Sequence, residues 1–212
     1  FNGCNSLSSI HFPYSVITIG NSAFFQCTSL TSIDLLVTQV TSIGLSAFNG
    51  CNSLSSIHFP YSVITIGNSA FFQCTSLTSV TLPTNPLFTS IVSGAFYKCS
   101  SLTSIDLGNS VTTIGSNAFS QCTSLTSITI PDSVETIGSN AFYGCTKLTS
   151  IDLSGTRVTT IYYRVFGSCS SLTSITIPDS VTTIGQYAFY QCTSLTSITI
   201  PAVSYTHLTL PT

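Results

Sequence analysis

Charge is scarce in this chain, and methionine and tryptophan are absent. Only 5% of its 212 residues are charged, with four basic and six acidic side chains. Roughly a quarter of an ordinary soluble domain is charged, so this surface offers little to a nucleic-acid backbone or an anionic membrane. No apolar run approaches the roughly 18 residues of a transmembrane helix. We therefore expect neither a nucleic-acid partner nor a transmembrane segment in this sequence.

The chain is instead rich in small hydroxylated and aliphatic residues arranged in a repeat. Cysteine recurs every 23 to 25 residues, at Cys4, Cys27, Cys51, Cys74, Cys99, Cys122, Cys145, Cys169 and Cys192. Residues 1–32 and 48–79 are identical, as expected if units were duplicated in pairs. Such self-similarity predicts one repeat solenoid over residues 1–202, with about eight repeats, in which each unit contacts only its neighbours.

The unit CTSLTSITIPDSVETIGSNAFYG, residues 122–144, gives the clearest local pattern. Leu, Ile and Ile in 125–130 predict a strand whose two Ile side chains point inward. Residues 131–133 are a turn sequence, because Pro fixes φ and Asp and Ser bond their own backbone. A second short strand follows in 134–137, and after Gly138 we expect one helical or 3₁₀ turn over 139–142. The predicted fold is mainly β, with a parallel sheet on one face.

The consensus LxxIxIPxxVxxIGxxAFxxC resembles the BspA-type leucine-rich repeat, and the resemblance extends from Cys4 to Pro201. That family occurs in bacterial surface proteins and in protists. The resemblance implies a cell-surface or secreted adhesive array that binds host or microbial proteins or glycans. It implies no catalytic residues and no cofactor.

Units four, five and seven depart from the consensus. Unit seven has Tyr162, Tyr163, Arg164 and Val165 where Gly, two variable residues and Ala are usual, so its turn is expected to be reshaped. Unit four has two extra residues, and its loop over 84–87 should protrude. Unit five has Leu and Gly at 107–108 in place of Ile and Pro.

The repeat stops after Pro201, and residues 203–212 read VSYTHLTLPT. This segment resembles a translated sequencing adapter, so we expect a tail that is not native; a degenerate final unit is the alternative. Phe1 begins within a repeat and no signal peptide is visible, which suggests an array cut at both ends. Bare terminal layers would favour end-to-end self-association.

Neither cysteine nor histidine forms a convincing reactive group in the repeat. Stacked cysteines have parallel side chains separated by about the strand spacing, which is unfavourable for disulfides, so we expect buried thiols that fill space. His11 and His58 occupy equivalent positions two layers apart with Asp34 between them, too sparse for a metal site. We therefore expect no metal, no cofactor and no catalytic site.

The position between the two inward Ile side chains should face outward on the main sheet. In order it holds His11, Asp34, His58, Thr81, Asp106, Thr129, Asp152, Thr176 and Thr199. This column is the candidate ligand-binding surface, and a merely solvated face is an equally good interpretation. Aromatic side chains that follow the Ala-Phe pair are possible further contacts: Phe25, Phe72, Tyr97, Tyr143 and Tyr190. Packing against the neighbouring layer is the alternative for these five.

These features predict a non-enzymatic binding scaffold. An ice- or crystal-binding solenoid is an alternative, suggested by the Ser and Thr columns but weakened by the Asp and His side chains that interrupt them. A structural stalk attached to another domain is a further alternative.

Overall fold

A computed structural model describes residues 1–199, so the prediction of a non-native tail over 203–212 lies outside the described residues. The described chain is a solenoid whose short strands are all paired in parallel. Residues 1–199 contain no helix, and therefore none that could cross a membrane. The predicted solenoid is confirmed.

Most units contribute two short strands. The first set lies on one face, at β1 Ser9–His11, β3 Ser32–Asp34, β5 Ser56–His58, β7 Ser79–Thr81, β11 Ser150–Asp152, β13 Ser174–Thr176 and β15 Ser197–Thr199. Isolated bridges at Asp106 and Thr129 continue this sheet through units five and six. The second set is β2 Thr18–Ile19, β4 Ser42–Ile43, β6 Thr65–Ile66, β8 Ser90–Ile91, β9 Thr113–Ile114, β10 Thr136–Ile137, β12 Thr160–Ile161 and β14 Thr183–Ile184. The register is one unit per layer, as in Ile10 opposite Ile33 and Ile19 opposite Ile43.

A column of stacked phenylalanine rings forms the centre of the core. Neighbouring rings lie 5.2–5.7 Å apart with interplanar angles of 5–15°. The column consists of Phe1, Phe24, Phe48, Phe71, Phe96, Phe119, Phe142, Phe166 and Phe189. Around it, the consensus Leu, Ile, Val and Ala side chains are buried. The apolar positions of the repeat are therefore the positions that hold the layers together.

Seven of the nine cysteines are buried along the same core, as predicted for space-filling thiols, and Cys4 and Cys192 at the two ends are partly buried. The buried thiols also donate hydrogen bonds. Cys122 Sγ donates to the Phe96 carbonyl at 3.2 Å, and Cys145 Sγ to the Phe119 carbonyl at 3.2 Å. All nine are free thiols. Burial raises the pKa of Cys122 to about 12, so its thiol stays protonated at neutral pH. These thiol hydrogen bonds join each layer to the one before it.

The segment before each cysteine is where the prediction was wrong, because residues 139–142 form no helical or 3₁₀ turn. Amides alternate between two partners: Ala141 N donates within its turn to Gly138 O at 3.2 Å, whereas Phe142 N donates to Val165 O of the next layer at 2.9 Å. In a helix every amide would bond within its own segment. Here every second amide donates its hydrogen bond to the next layer. Two residues per unit in the left-handed conformation, such as Asn140 and Gly144, turn these amides toward that layer.

Unit seven keeps this backbone, contrary to the expectation of a reshaped turn. Arg164 and Ser168 take the same two left-handed positions, and Gly167 N still donates to Arg164 O at 3.0 Å. In unit four, Leu87 protrudes as predicted with 64% of its surface exposed. Asn85 of the same loop is buried, and its amide donates to the Tyr61 carbonyl at 3.0 Å.

Candidate functional site

The first-set strands present an outward side that we call the strand face, formed by their first and third residues. All eight residues proposed as ligand contacts lie in its third-residue column, and only Thr176 among them is partly buried. Strand pairing sets His11 opposite Asp34, His58 opposite Thr81, and Asp152 opposite Thr176. The sequence therefore located an exposed column correctly, although its role in binding stays a prediction.

A row of shallow clefts follows the edge of the strand face where the chain enters the turn. The largest has a volume of about 570 Å³ and lies between Thr81, Phe88 and Asp106. Three more clefts continue along the same edge through units five to eight, with Asp132, Asp152 and Asp179 among their lining residues. Carboxylates and hydroxyls dominate the polar groups of this edge. It suits hydrogen-bonded ligands that lie across several layers.

The aspartates of the column also have a role inside the protein. The Asp34, Asp106 and Asp152 carboxylates each accept a hydrogen bond from the backbone N–H two residues later, at 3.1, 2.9 and 2.9 Å. This contact lowers the pKa of Asp152. A carboxylate that accepts such a bond closes an Asx turn.

Proline explains where these aspartates occur. In every other unit of the repeat the residue two positions after the column is Pro, and the column residue is His or Thr. Leu36, Gly108 and Ser154 stand at that position in the three aspartate units. Proline has no N–H to satisfy, so the aspartate is needed only where proline is missing. The three carboxylates thus stabilise turns, and their availability to a ligand is reduced.

Many hydroxyls beside the column also bridge layers. Thr126 Oγ1 donates to the Thr103 carbonyl at 3.2 Å, and Thr173 Oγ1 to the Thr149 carbonyl at 3.0 Å. By contrast, Thr81 and Thr129 make no side-chain hydrogen bond within residues 1–199. Their hydroxyls are exposed donors and acceptors, and they remain the most available polar groups of the column.

The two histidines lie on the exposed strand face, each opposite a residue of the next layer. His11 faces only Asp34 of the next layer in strand register, and His58 faces Thr81. Among residues 1–199, no three His, Cys, Asp or Glu side chains are grouped in a way that would hold a metal ion. The exposed imidazole, carboxylate and hydroxyl groups of this face are hydrogen-bond donors and acceptors.

The five aromatic candidates lie on a different side, next to the cysteine turns. Phe25, Phe72, Tyr97 and Tyr143 are partly buried, whereas Tyr190 is exposed. Phe72 stacks on Tyr97 of the next layer, with ring centroids 4.8 Å apart. Packing between layers therefore accounts for this pair, and Tyr190 is the candidate most open to a ligand.

Tyr190 belongs to a group that sequence reasoning did not assemble. Three tyrosine rings surround the Arg164 guanidinium: its central carbon lies 5.1 Å from the ring centre of Tyr163, 5.2 Å from Tyr187 and 5.8 Å from Tyr190. We call these four residues the tyrosine–arginine cluster. The replacement of the consensus by Tyr-Tyr-Arg in unit seven was the signal, but Tyr187 and Tyr190 come from unit eight.

Two residues of the cluster have a backbone conformation that is unfavourable for large side chains. Arg164 and Tyr187 occupy the first left-handed position of units seven and eight, with φ of 51° and 60°. Other units have Ser, Asn or Gly at this position. A left-handed conformation costs a side-chain-bearing residue roughly 1–2 kcal/mol, and short polar residues tolerate it best. Repeat packing alone therefore does not favour Arg and Tyr here.

Solved structures share this architecture. A leucine-rich repeat protein from Bacteroides ovatus is 29% identical, with a TM-score of 0.66, and the match covers 99% of this chain and 70% of that one. A leucine-rich repeat protein from T. pallidum is 27% identical, with a TM-score of 0.61, over 89% of this chain and 78% of its own. The pneumococcal vaccine antigen PcpA, at 22% identity, shares the fold with a TM-score of 0.54 over 91% of this chain and 56% of its own. Curated proteins gave no match.

The repeat itself matches a family model. The model describes the BspA type leucine-rich repeat region, in six copies, and matches residues 1–111 and 89–209. Together these segments span nearly the whole sequence and include every unit described above. The chain belongs to the BspA-type leucine-rich repeat family.

Proposed function

We propose that this chain is the ligand-binding array of a cell-surface or secreted adhesin-type protein, and that it acts without catalysis. Membership of the BspA-type family supports a repeat binding scaffold. The solenoid presents its side chains on a rigid stack, which favours binding because little conformational entropy is lost on contact. The ligand class that we propose is a protein or glycan of the host or of another microbe.

We place the main contact surface on the strand face and its edge clefts. The observation that carries this assignment is the exposed column with the unpaired hydroxyls of Thr81 and Thr129, separated by Asp106 and bordered by the clefts. A hydroxyl without a hydrogen-bond partner in the protein exchanges only its bond to water for a bond to the ligand, and no internal hydrogen bond is broken. A row spaced by one layer, about 4.8 Å, suits an elongated ligand.

Paired double variants test this placement. T81K/T129K puts two long cations on the strand face, whereas T65K/T136K puts two on the second sheet, and all four positions are exposed. The probes are a glycan array and a panel of immobilised extracellular-matrix proteins. For any protein or neutral-glycan probe that binds the parent chain, we expect T81K/T129K to weaken binding at least about tenfold, or roughly 1.4 kcal/mol, and T65K/T136K to leave it unchanged. Equal effects of the two variants would contradict the placement.

An ice- or crystal-binding solenoid is the second candidate, because the Ser and Thr columns repeat once per layer. Asp34, Asp106 and Asp152 interrupt the column, and their carboxylates are engaged in turns. We therefore favour the adhesin. Thermal hysteresis in a solution of the chain would favour the ice-binding alternative, and we expect none.

A further inference from the structure

The tyrosine–arginine cluster contains a cation without a carboxylate partner. Within residues 1–199 the only ion pair joins Arg157 to Glu135, at 3.7 Å. The acidic residues lie on the strand face, in the turn that follows it, or directly before a second-set strand. Arg164 lies instead in a cysteine turn, and its Nε is buried without a hydrogen-bond partner in the described chain. Three tyrosine rings lie around the guanidinium.

The rings around this cation are accessible. Tyr163, Tyr187 and Tyr190 are 38%, 46% and 44% exposed. Tyr163 and Tyr190 each meet Tyr187 edge to face, with centroids 5.9 and 5.6 Å apart, so the three rings and the guanidinium form one contiguous patch. Rigid rings with a polar tip offer a large contact area at low entropic cost.

We propose that the tyrosine–arginine cluster is a binding site for an acidic saccharide, a sugar that carries a carboxylate or sulfate group. The guanidinium fork binds a planar carboxylate or a sulfate through charge-assisted hydrogen bonds. The tyrosine rings stack on the apolar C–H face of the sugar, and their hydroxyls bond its hydroxyl groups. This site is separate from the strand face, and it stands or falls independently of the function proposed above.

The placement of the residues supports a role beyond packing. Units one to six fill the first left-handed position with Ser22, Ser46, Ser69, Gly94, Asn117 and Asn140. Two successive units then place Arg and Tyr there, and these two residues meet each other, 5.2 Å from guanidinium carbon to ring centre. A repeat under selection for stacking alone would keep the short residue. The exchange is explained if the exposed patch is used.

The test combines three probes with variants taken from the repeat itself. Saturation-transfer NMR and calorimetry are run with 3′-sialyllactose, a sulfated heparin disaccharide and neutral lactose. R164N and Y187N restore the residue of units five and six, so they should fold at least as well as the parent. K98Q is the matched control: Lys98 is also a left-handed cation over a tyrosine, 5.4 Å from the Tyr97 ring centre, and Gln stands at its position in other units.

We expect one or both acidic saccharides to bind the parent chain, lactose to bind at least about tenfold more weakly, and K98Q to bind like the parent. R164N should reduce affinity at least about tenfold, as expected for loss of a charge-assisted contact, and Y187N by a smaller factor. Binding to sialyllactose alone identifies a carboxylate site, and binding to the sulfated sugar alone a sulfate site. Equal binding of lactose, unchanged affinity in R164N, an equal loss in K98Q, or binding of polyglutamate without either saccharide would each overturn the proposal.

Discussion

Units six and seven, residues 122–144 and 145–168, are adjacent in the stack and share one backbone, yet they differ on their outer sides. Both place a phenylalanine in the ring column and both have two left-handed residues before the closing cysteine. Unit six fills the first of these positions with Asn140, and unit seven with Arg164. The layers therefore constrain the backbone and the inward side chains, while the outward side chains are free to change.

The two units also end their first strand differently. Unit six has Thr129 followed by Pro131, whereas unit seven has Asp152, whose carboxylate accepts the N–H of Ser154 at 2.9 Å. In unit six, Pro131 has no backbone N–H that needs an acceptor. In unit seven, the Asp152 carboxylate provides an acceptor for the N–H of Ser154. The same turn requirement thus decides whether the column offers a free hydroxyl or an engaged carboxylate to solvent.

The largest effect should come from the feature that the units share. Phe142→Ala and Phe166→Ala should each lower the free energy of unfolding by about 3–5 kcal/mol, because both rings are fully buried between two others. Urea denaturation followed by circular dichroism measures both. Phe→Leu at each position is the control and should cost less. Losses that differ by more than about 2 kcal/mol would show that the outer side chains of unit seven alter its core.

Features that depend on the sequence of one unit were predicted correctly, whereas features that depend on contacts between two units were missed. Alternation around Ile128 and Ile130 correctly placed the exposed column, although in this unit the predicted strand is reduced to a single bridge at Thr129. The cysteine turn was predicted as helical because its local sequence fits a helix, and the competing bond from Phe142 N to Val165 O joins different layers. The tyrosine–arginine cluster was missed for the same reason, since Arg164 meets rings 23 and 26 residues further along the chain.

The difference at the left-handed position gives the next prediction. Asn140→Arg should lower the free energy of unfolding by about 1–2 kcal/mol, because unit six surrounds this position with no tyrosine cage and the next layer has Arg164 at the equivalent place. Thermal and urea denaturation measure the change. Asn140→Ser, the residue of units one to three, is the control and should stay within about 0.5 kcal/mol of the parent.

Arg164→Asn should change stability less than Asn140→Arg, since relieved backbone strain offsets the lost cation–π contacts, about 0.5–1 kcal/mol at exposed sites. If Asn140→Arg were as stable as the parent, the left-handed position would place no constraint on residue size. The presence of Arg and Tyr in units seven and eight would then need no functional explanation.

The smallest effect is expected at the strand ends. Asp152→Ala should lower the free energy of unfolding at pH 7 by about 0.5–1 kcal/mol, as for loss of a side chain that caps an exposed N–H, whereas Thr129→Ala removes no internal hydrogen bond and should cost less. The N–H of Ser154 holds the pKa of the Asp152 carboxyl below its ordinary value of 3.8. The contribution of a lowered pKa is present above the unfolded-state value and is lost as the pH falls through the folded-state value. The two variants should therefore differ at pH 7 and converge as the pH falls below 3.8. A difference that persists in acid would mean that Asp152 acts through packing, and its carboxylate would then be open to a ligand after all.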